Sequence, residues 1–361
     1  MVLGNPWAVA SDAGINMQKL LIFNLETNSE SPVLAVGIDW IVELSKHFDS
    51  TEVGSTHVGK RNELGKIRVE EIGGGNLLKR FRAILRLGRL SVPLIFHRGE
   101  YFVFHHMSPR TAVFPGIIFR MIGIPQGLWY SHASKPISLR IAKKTVNYIF
   151  TSTQKSFPIH SNKISIVGHG IPIKKFKGIR GTVRRTGAIL YLGRISPVKQ
   201  LNFLIEELSR VRSQLPVVFV GSEDQSAYAR ELNMMAKKAQ INLTINKSIN
   251  YSEVPQMMSS FKYFYSGTRG SVDKVALEAA IAGCLILSVE QITLDLTGMS
   301  SGWAFIKQKT PQNIADQIRF LESLEDGELR KLQKIVTEEC IEKNNLNSTV
   351  TKIVQVLKSK K

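Results

Sequence analysis

The chain has 361 residues, which is too many for one ordinary core, so its length favours two domains of roughly 150 to 200 residues each. Hydrophobic residues make up 43% and charged residues 21%, a composition that excludes a mainly disordered chain. Because 48 Lys and Arg stand against 29 Asp and Glu, the net charge of +19 predicts an anionic partner: nucleic acid, anionic lipid or a phosphorylated substrate.

Other features of the sequence indicate the cellular compartment of the protein. The two cysteines, Cys284 and Cys340, have no thiol or histidine at metal-ligand spacing, which favours a reducing cytoplasm. Residues 1–18 lack the basic start and apolar run of a signal peptide. The most membrane-like stretch, 111–130, is interrupted by charge and helix breakers, so we expect no transmembrane segment. These interruptions are Pro115, Arg120 and Pro125.

Short apolar runs alternate with longer helical patterns from Lys19 to Ser288, which is typical of repeated βα units and parallel sheets. The first series of strands is predicted at Lys19–Asn24, Thr51–Thr56, Lys66–Ile72, Leu94–Phe96, Tyr101–Phe104, Gly127–Ser131 and Tyr148–Thr151. The second series is predicted at Ile164–Val167, Ala188–Gly193, Pro216–Val220, Asn242–Asn246, Tyr263–Ser266 and Leu285–Val289. Each series is large enough to form a sheet.

The helix predicted at Asn76–Leu90 is both amphipathic and basic. Leu77, Phe81, Ile84, Leu85 and Leu87 lie near one helical face, and the cations lie largely around the others. Such a helix either lies on an anionic membrane or packs its apolar stripe on the sheet with solvated arginines outside, and both roles are compatible. The predicted membrane contacts are Lys79, Arg80, Arg82, Arg86 and Arg89.

The stretch Gly168–Gly181 is rich in glycine and basic residues and has no amphipathic period, so we interpret it as a crossover between domains. We therefore predict an N-terminal domain at 1–172, a C-terminal domain at 173–340 and a C-terminal helix at 341–361 that packs back on the N-terminal domain. The last helices are predicted at Gln312–Leu324, Gly327–Lys343 and Ser348–Leu357.

Two segments carry the chemistry. In Tyr191–Lys199, an apolar strand ends at Gly193 and Arg194, and Lys199 precedes a helix from about Asn202 to Gln214. A glycine after a strand lets the backbone approach phosphate oxygens, while arginine offers a planar fork and lysine a mobile charge. A basic surface turn without function fits this segment about equally well.

The second segment, Asp273–Gly283, opens a helix that contains a carboxylate, Glu278. The loop before it, Gly267–Ser271, and the helix dipole favour an anion, and Glu278 one turn further on suits sugar hydroxyls. The alternative is an exposed helix glutamate, but the small apolar residues after it leave little exposed surface. Together the segments predict a nucleotide-sugar site.

In their order and spacing these segments resemble the C-terminal domain of retaining GT-B glycosyltransferases, particularly glycosyltransferase family 4, over most of residues 185–357. The resemblance implies an α/β GT-B fold of two Rossmann-like domains, with parallel sheets facing a central cleft. It also implies that Arg194 and Lys199 hold the donor diphosphate and act in catalysis, and that Glu278 grips the nucleotide ribose. The turn at Gly221 and Ser222 matches the family's base-binding turn.

The sequence departs from the family at one position. Members usually carry another glutamate eight residues before Glu278, where this chain has Gly270, followed by Ser271. Asp273 offers a substitute carboxylate or simply caps the helix. The residues that we assign to donor binding are Gly193, Arg194, Lys199, Gly221, Ser222, Gly270, Ser271, Asp273 and Glu278.

The N-terminal half resembles the family more loosely. His132, which follows the predicted strand Gly127–Ser131, matches a histidine that contacts the reacting sugar in the family. A histidine at a strand end whose hydrogen bonds are satisfied within the protein fits nearly as well. His105 and His106 fit structural roles better, and His169 lies in the crossover.

We therefore predict a metal-independent, retaining glycosyltransferase without a cofactor. It moves a sugar from a nucleotide-diphosphate sugar to a lipid-linked or saccharide acceptor in polysaccharide or glycolipid assembly. The positive charge predicts peripheral association with the anionic inner face of the cytoplasmic membrane. Two alternatives remain open, a non-catalytic GT-B partner subunit and a basic nucleic-acid-binding protein, although no nucleic acid is expected because the chain lacks a recognisable reading module.

Overall fold

The computed structural model describes residues 19–31, 34–176, 185–222, 226–306 and 313–359. Contacts divide the chain into two compact units, Met1–Val167 with Asn347–Lys361, and Gly168–Leu346. No helix in the described ranges is long and apolar enough to cross a bilayer.

The N-terminal unit contains a parallel sheet of seven strands in the order β3-β2-β1-β4-β5-β6-β7. The strands are β1 (Lys19–Thr27), β2 (Ser50–Val58), β3 (Arg68–Glu71), β4 (Tyr101–His106), β5 (Gln126–Trp129), β6 (Tyr148–Thr151) and β7 (Ile164–Ile166). The helices between them are α1 (Val36–Ser45), α2 (Leu77–Phe96), α3 (Pro109–Val113), α4 (Gly116–Met121) and α5 (Ile137–Thr145). A parallel sheet with βα connections was the predicted architecture, and it is confirmed.

The central strands are buried on both faces. Leu20, Leu21, Ile22 and Phe23 of β1 form a continuous apolar run in which no side chain is more than 1% exposed. Such runs are what a parallel sheet with helices on both faces requires, since neither side of the strand meets water.

One face of this sheet carries α2, α4 and α5. Phe23 of β1 pairs in register with His105, which pairs with Leu128, which pairs with Ile149, so these side chains share a face. On that face Leu90 and Leu94 of α2 and Phe119 of α4 pack in one cluster with Leu21 and Phe23. Leu139 and Ala142 of α5 pack in a second cluster with Leu128 and Ile149. The three helices therefore form one layer over the sheet.

The C-terminal unit contains a parallel sheet of five strands in the order β10-β9-β8-β11-β12. The strands are β8 (Thr186–Leu192), β9 (Val217–Val220), β10 (Leu243–Asn246), β11 (Phe261–Ser266) and β12 (Leu285–Ser288). The helices are α6 (Leu201–Val211), α7 (Ser226–Lys238), α8 (Val254–Ser259), α9 (Lys274–Ile281), α10 (Gln291–Thr297), α11 (Met299–Phe305), α12 (Ile314–Ser323) and α13 (Asp326–Asn344). Because all five strands are parallel, the turns after β8, β9, β11 and β12 meet at one edge of the sheet.

The final helix, α14 (Leu346–Ser359), belongs to the N-terminal unit from Asn347 onwards. Asn347 Nδ2 donates to Glu43 Oε1 of α1 at 2.8 Å. Val350 and Ile353 of α14 are fully buried. The end of the chain therefore contributes to the core that its beginning forms.

Two predicted elements are wrong. Leu94–Phe96, predicted as a strand, is the last turn of α2, which continues through Pro93. The prediction took three consecutive apolar residues for a buried strand. In the helix only Leu94 is buried, while Ile95 and Phe96 are exposed. The strand near Ile164, assigned to the second series, pairs with β6 at the edge of the first sheet, where Ile149 lies beside Ile164.

Candidate functional site

The turn after β8 presents Arg194 at the carboxyl edge of the C-terminal sheet. Gly193 has φ of +149°, a conformation that suits glycine, and its N–H donates to Val220 O at 2.9 Å. Tyr191 Oη donates to Arg194 O at 2.7 Å, which fixes the backbone beneath the exposed guanidinium. Burial raises the pKa of Tyr191, so its hydroxyl keeps the proton that it donates.

The turn after β9 packs directly against this one. A Cβ at Gly221 would overlap the carbonyl oxygen of Gly193, so only glycine fits there without moving the backbone. Ile195 N–H donates to Ser222 O at 2.9 Å, which holds the two turns side by side. Both predicted glycines are thus explained by the close approach of two main chains.

Lys199 joins the two segments that the sequence singled out. It lies in a 3₁₀ turn, Pro197–Lys199, before α6, and its Nζ is 2.9 Å from Asp273 Oδ2 and 3.0 Å from Thr268 Oγ1. Thr268 also donates to Asp273 Oδ2 at 3.0 Å. A Cβ at Gly267 would overlap the carbonyl oxygen of Lys199, so the loop before α9 approaches this turn closely.

Asp273 precedes the first residue of α9 but does not cap it. Its side chain makes no hydrogen bond to the N–H groups of the helix and pairs with Lys199 instead. The reading of Asp273 as a helix cap is therefore wrong, and the carboxylate holds the ammonium group of Lys199 in place. The N–H groups of the first turn of α9 consequently receive no cap from this side chain.

Glu278 is buried rather than an exposed helix glutamate. Its residue is 1% exposed, and its Oε1 accepts from Lys274 Nζ at 2.7 Å and from Tyr251 Oη at 2.9 Å. Lys274 Nζ and Lys175 Nζ lie 5.1 Å and 4.9 Å from the Tyr251 ring centroid. Sequence reasoning did not assign Tyr251 or Lys274 to the site, although the spacing of four residues between Lys274 and Glu278 is an available signal.

The loop at Gly270 and Ser271 is hydrogen-bonded to a carboxylate that follows β12. Gly270 has φ of +71°, and its N–H donates to Glu290 Oε2 at 2.9 Å. Glu290 follows β12 and was missed, because nothing in the sequence links it to a residue twenty positions earlier. A glutamate side chain at position 270, as in the related family, would be strained in this left-handed backbone.

His169 lies within electrostatic reach of Lys274 and Asp273. Burial, and secondarily the charge of Lys274, lowers its pKa from 6.5 to about 4, so the imidazole is neutral near pH 7. Its presence in this cluster was not assigned from the sequence beyond a place in the crossover.

Two buried hydroxyls at the same edge keep unused hydrogen-bonding capacity. Ser196 lies between Arg194 and Lys199, and Ser266 ends β11. Within the described residues neither Oγ has a hydrogen-bond partner, and the residues are 7% and 1% exposed. Both hydroxyls are therefore able to donate a hydrogen bond to a ligand at this edge of the sheet.

His132 belongs to the N-terminal unit, where it follows β5. The residue is exposed, its N–H donates to Ser156 O at 3.0 Å, and its Nδ1 accepts from the N–H of Ser134 at 2.9 Å. Because Nδ1 accepts this hydrogen bond, Nε2 is the ring nitrogen that can donate to a ligand. Ser131 Oγ and Ser152 Oγ lie 2.6 Å apart beside it.

The two neighbouring histidines are buried. His105 contacts Thr111 Oγ1 at 2.9 Å and Gln126 Oε1 at 3.1 Å, and His106 contacts Asn24 Oδ1 at 3.1 Å. Burial lowers the pKa of His105 to about 4 and that of His106 to about 3. Both therefore have the structural environment of core residues.

Four of the five cations predicted to contact a membrane are exposed on α2, namely Lys79, Arg80, Arg82 and Arg89. Arg86 is half-buried. It donates to Glu71 O at 3.0 Å and lies 3.8 Å from Glu70 Oε2 and 3.9 Å from Glu71 Oε2. Its charge is thus partly satisfied by β3.

Across the described ranges, no group of three or more His, Cys, Asp and Glu side chains is arranged to hold a metal ion. Neither Cys284 nor Cys340 forms a disulfide, and both are buried. Burial raises the pKa of Cys284 to about 12, so it remains a thiol.

Comparison with known proteins agrees with this architecture. Residues 174–339 match the family model described as "Glycosyl transferases group 1". Among curated proteins none matches the chain. The domain match therefore falls on the unit that contains Arg194, Lys199, Asp273 and Glu278.

Solved structures share the fold over nearly the whole chain. The Anabaena protein Alr3699/HepE, solved with UDP and glucose, is 14% identical with a TM-score of 0.66, covering 95% of this chain and all of that one. A Rickettsia africae ESF-5 glycosyltransferase is 15% identical with a TM-score of 0.67, covering 94% and 98%. A UDP-GlcNAc 2-epimerase from Neisseria meningitidis, bound to UDP-GlcNAc, is 15% identical with a TM-score of 0.55, covering 94% and 99%.

These likenesses show the fold, and the match over residues 174–339 supports a glycosyltransferase. The chain has the GT-B fold, with two Rossmann-like units, and residues 174–339 match the glycosyl transferases group 1 model. It is accordingly a glycosyltransferase of the GT-B type.

Proposed function

We propose that the protein transfers a sugar, with retention of configuration, from a nucleotide-diphosphate sugar to an acceptor, as family 4 enzymes do. The observation that carries the proposal is the contact between Lys199 and Asp273, at 2.9 Å, which brings the two chemically suggestive segments to one edge of the sheet. Cations, unused hydroxyls and a helix start then lie together where open α/β sheets bind ligands.

Arg194 and Lys199 have the chemistry to hold the donor diphosphate. The exposed guanidinium of Arg194 offers a planar fork, and Lys199 adds an ammonium group fixed by Asp273 and Thr268. As the sugar bond breaks, negative charge develops on the leaving diphosphate. Preorganised cations beside the start of α9 stabilise that charge, which is the usual way such sites lower a barrier.

Glu278 is proposed to accept the ribose hydroxyls. Its carboxylate is held in one orientation by Lys274 and Tyr251, so binding requires the ribose to displace or join this network. Gly193, Gly221, Ser222, Gly270 and Ser271 would line the donor with main chain. His132 is proposed to contact the reacting sugar, with Nε2–H as its donor atom.

We propose that no metal ion or cofactor takes part, since the cations supply the charge stabilisation. We further propose a lipid-linked or saccharide acceptor in polysaccharide or glycolipid assembly, at the cytoplasmic face of the membrane. The net charge of +19 and the exposed cations of α2 support this location. The N-terminal unit would bind the acceptor.

The decisive experiment compares nucleotide binding in two lysine variants by titration calorimetry. Lys199→Met should weaken binding of UDP, the nucleotide in the Anabaena neighbour, at least tenfold and binding of UMP much less, because the ammonium group acts on the diphosphate. Lys262→Met is the matched control, since Lys262 also pairs with an aspartate, Asp326 at 3.6 Å. Lys262 lies near the start of β11, at the opposite edge of the sheet from Lys199. Equal UDP affinity in both variants would refute the proposed site.

Product analysis then tests the reaction. Donor sugars should be consumed only with an acceptor, at a rate that EDTA does not change, and the anomeric configuration should be retained in the product. Epimerised free sugar formed without an acceptor would instead indicate epimerase chemistry. No turnover with any donor, and no effect of Glu278→Ala, would support a non-catalytic partner subunit, and salt-sensitive DNA binding without UDP binding would support the nucleic-acid alternative.

A further inference from the structure

The helix layer of the N-terminal unit exposes an unusual amount of apolar surface. Fourteen of the eighteen large apolar side chains that are exposed within the described residues lie between Leu77 and Ile141. They are Leu77, Leu78, Phe81, Ile84, Leu85, Val92, Ile95 and Phe96 of α2, Phe114 before α4, Ile117, Ile118 and Met121 of α4, and Ile137 and Ile141 of α5. We call the outer surface of α2, α4 and α5 the insertion face.

Of the predicted apolar stripe of α2, only Leu87 packs against the core of the sheet. Leu77, Phe81, Ile84 and Leu85, which follow each other at helical spacing, are between 51% and 84% exposed. The sheet is covered by a different set of residues from the same helix, including Leu90 and Leu94. The predicted alternative, in which the apolar stripe packs on the sheet with arginines outside, is therefore wrong for this half of the helix.

The three helices lie on one face of one sheet, so their outer surfaces adjoin. Phe119 of α4 packs in the same cluster as Leu90 and Leu94 of α2, and α4 contacts α5. Neighbouring side chains of α4 point outward, since Ile118 is 44% and Met121 76% exposed. The stretch that is too interrupted to span a membrane thus contributes apolar side chains to this surface.

Cations far outnumber carboxylates in this part of the sequence. Residues 72–147 contain twelve Lys and Arg and a single carboxylate, Glu100, which pairs with Lys19 at 2.7 Å. The cations are Lys79, Arg80, Arg82, Arg86, Arg89, Arg98, Arg110, Arg120, Lys135, Arg140, Lys143 and Lys144. A partner that binds both the exposed apolar side chains and the cations must itself have apolar and anionic parts.

We infer that the insertion face enters the surface of an anionic bilayer, with side chains of α4 and α5 inserting beside those of α2. The inference rests on the membrane location proposed above and deepens it, because it adds hydrophobic insertion by three helices to attraction by the cations of one. Phosphates of the lipid headgroups meet the lysines and arginines, and the acyl boundary receives the aliphatic and aromatic side chains.

The chemistry favours a bilayer over the other candidates. A second copy of the chain would oppose the exposed cations of α2 to one another, because a two-fold interface places like patches together. Nucleic acid would satisfy the cations but leave the aliphatic rows in water. Contiguous exposed apolar surface is uncommon on proteins that have no partner for it.

The test is flotation with vesicles of phosphatidylcholine alone or mixed with phosphatidylglycerol, without nucleotide. Wild-type protein should float with the mixed vesicles and retain measurable binding at high salt, since apolar insertion is not screened. Met121→Ser should weaken binding about tenfold at either salt concentration. Met234→Ser is the matched control, a methionine 67% exposed on α7 of the other unit, and should bind like wild type.

A charge pair completes the design. Arg82→Gln should weaken binding about fivefold at low salt and less at high salt, whereas Arg330→Gln, exposed on α13, should have no effect. UDP affinity measured without vesicles should be unchanged in Met121→Ser. Vesicle binding by a protein that fails to bind UDP would therefore refute the donor site and leave the insertion face standing.

Four results would overturn the inference. The first is wild-type protein that does not float with anionic vesicles, and the second is Met121→Ser binding that equals Met234→Ser binding. The third is a dimer, seen by sedimentation equilibrium, that Met121→Ser dissociates while no variant affects flotation, which would assign the face to a second copy. DNA binding lost in Arg82→Gln without vesicle binding would assign it to nucleic acid.

Discussion

At the scale of single residues, the site is built from charges that are already engaged. Lys199 pairs with Asp273, and Lys274 pairs with Glu278. These two ion pairs fix the positions of the groups proposed to meet the donor, so that less side-chain freedom is lost on binding. The arrangement also makes each carboxylate important for stability.

The Glu278 network predicts a graded loss of stability. Glu278→Ala removes the acceptor of Lys274 and Tyr251 in a site where the carboxylate is 2% exposed, so it should lower the free energy of unfolding of the C-terminal unit by about 3 kcal/mol. Glu278→Gln retains an acceptor oxygen and should cost less, while still weakening UDP binding. Urea unfolding with and without UDP measures both, with Glu338→Ala, exposed on α13, as the control. Equal unfolding for Glu278→Ala and Glu338→Ala would contradict the role of the network.

His106 predicts a pH dependence of stability. Its pKa falls from 6.5 to about 3 on burial, so between these values the unfolded chain binds a proton that the folded chain does not. The free energy of unfolding should therefore decrease as the pH is lowered through this window, by up to about 1.4 kcal/mol per pH unit from this group. His105 and His169 act in the same direction.

Urea unfolding between pH 7 and pH 4 checks this, followed by the fluorescence of tryptophans such as Trp40 and Trp129, whose rings lie 4.9 Å and 5.3 Å from the His106 ring. His106→Gln should be less stable at pH 7 and should lose stability less steeply on acidification. His132→Gln is the control, because that ring is exposed. Parallel pH profiles for His106→Gln and wild type would show that His106 does not titrate as described.

At the scale of elements, the site depends on turns that touch main chain to main chain. The turns after β8 and β9 approach so closely that position 221 has no room for a side chain, and the loop before α9 approaches Lys199 in the same way. Such contacts tie the two segments of the site to the sheet rather than to flexible side chains. Glycine is needed at these places for space, whereas Gly270 is needed for its backbone angle.

Gly221→Ala should therefore displace both turns. We expect a loss of about 3 kcal/mol in the stability of the C-terminal unit and weaker UDP binding, because the overlap is with backbone that cannot rotate away. Gly187→Ala in β8 is the matched control, since a Cβ there meets no atom within 4 Å. Thermal unfolding and calorimetry measure the two effects. Unchanged UDP affinity in Gly221→Ala would separate this turn from the donor site.

At the scale of the whole molecule, the two ends of the chain share one unit. Residues 347–361 are grouped with residues 1–167, and the contact between Asn347 and Glu43 joins positions 304 residues apart. The N-terminal fold is thus complete only when the last helix has been made. The C-terminal unit, in contrast, is continuous in sequence.

Ile353→Ala should destabilise the N-terminal unit selectively. Ile353 is fully buried in α14. Truncating its side chain leaves a cavity and should lower the free energy of unfolding by about 2 to 5 kcal/mol. Hydrogen exchange should accelerate at amides of β1 and β4, while β8 and β11 keep their protection. Lys352→Ala, at the exposed neighbouring position, is the control. Faster exchange in β8 as well as β1 would mean that the two units unfold together.

Periodicity alone predicted the parallel α/β architecture, because burial on both faces of a strand leaves a continuous apolar run that is visible locally. It predicted the strands of β1 and β6 closely and failed at Leu94–Phe96, where the apolar run belongs to an exposed helix face. An apolar side chain looks the same in sequence whether it faces a sheet or the solvent.

The sequence by itself singled out the two segments of the candidate site, since Gly-Arg after a strand and Glu278 within a small-residue helix are local patterns. Only the tertiary structure decided what each charged group meets: Asp273 with Lys199, Glu290 with Gly270, and Tyr251 with Glu278. It also decided which side of α2 covers the sheet. These outcomes depend on contacts between residues that are far apart along the chain, and the register of strands and helices that creates such contacts is set by the packing of the whole unit.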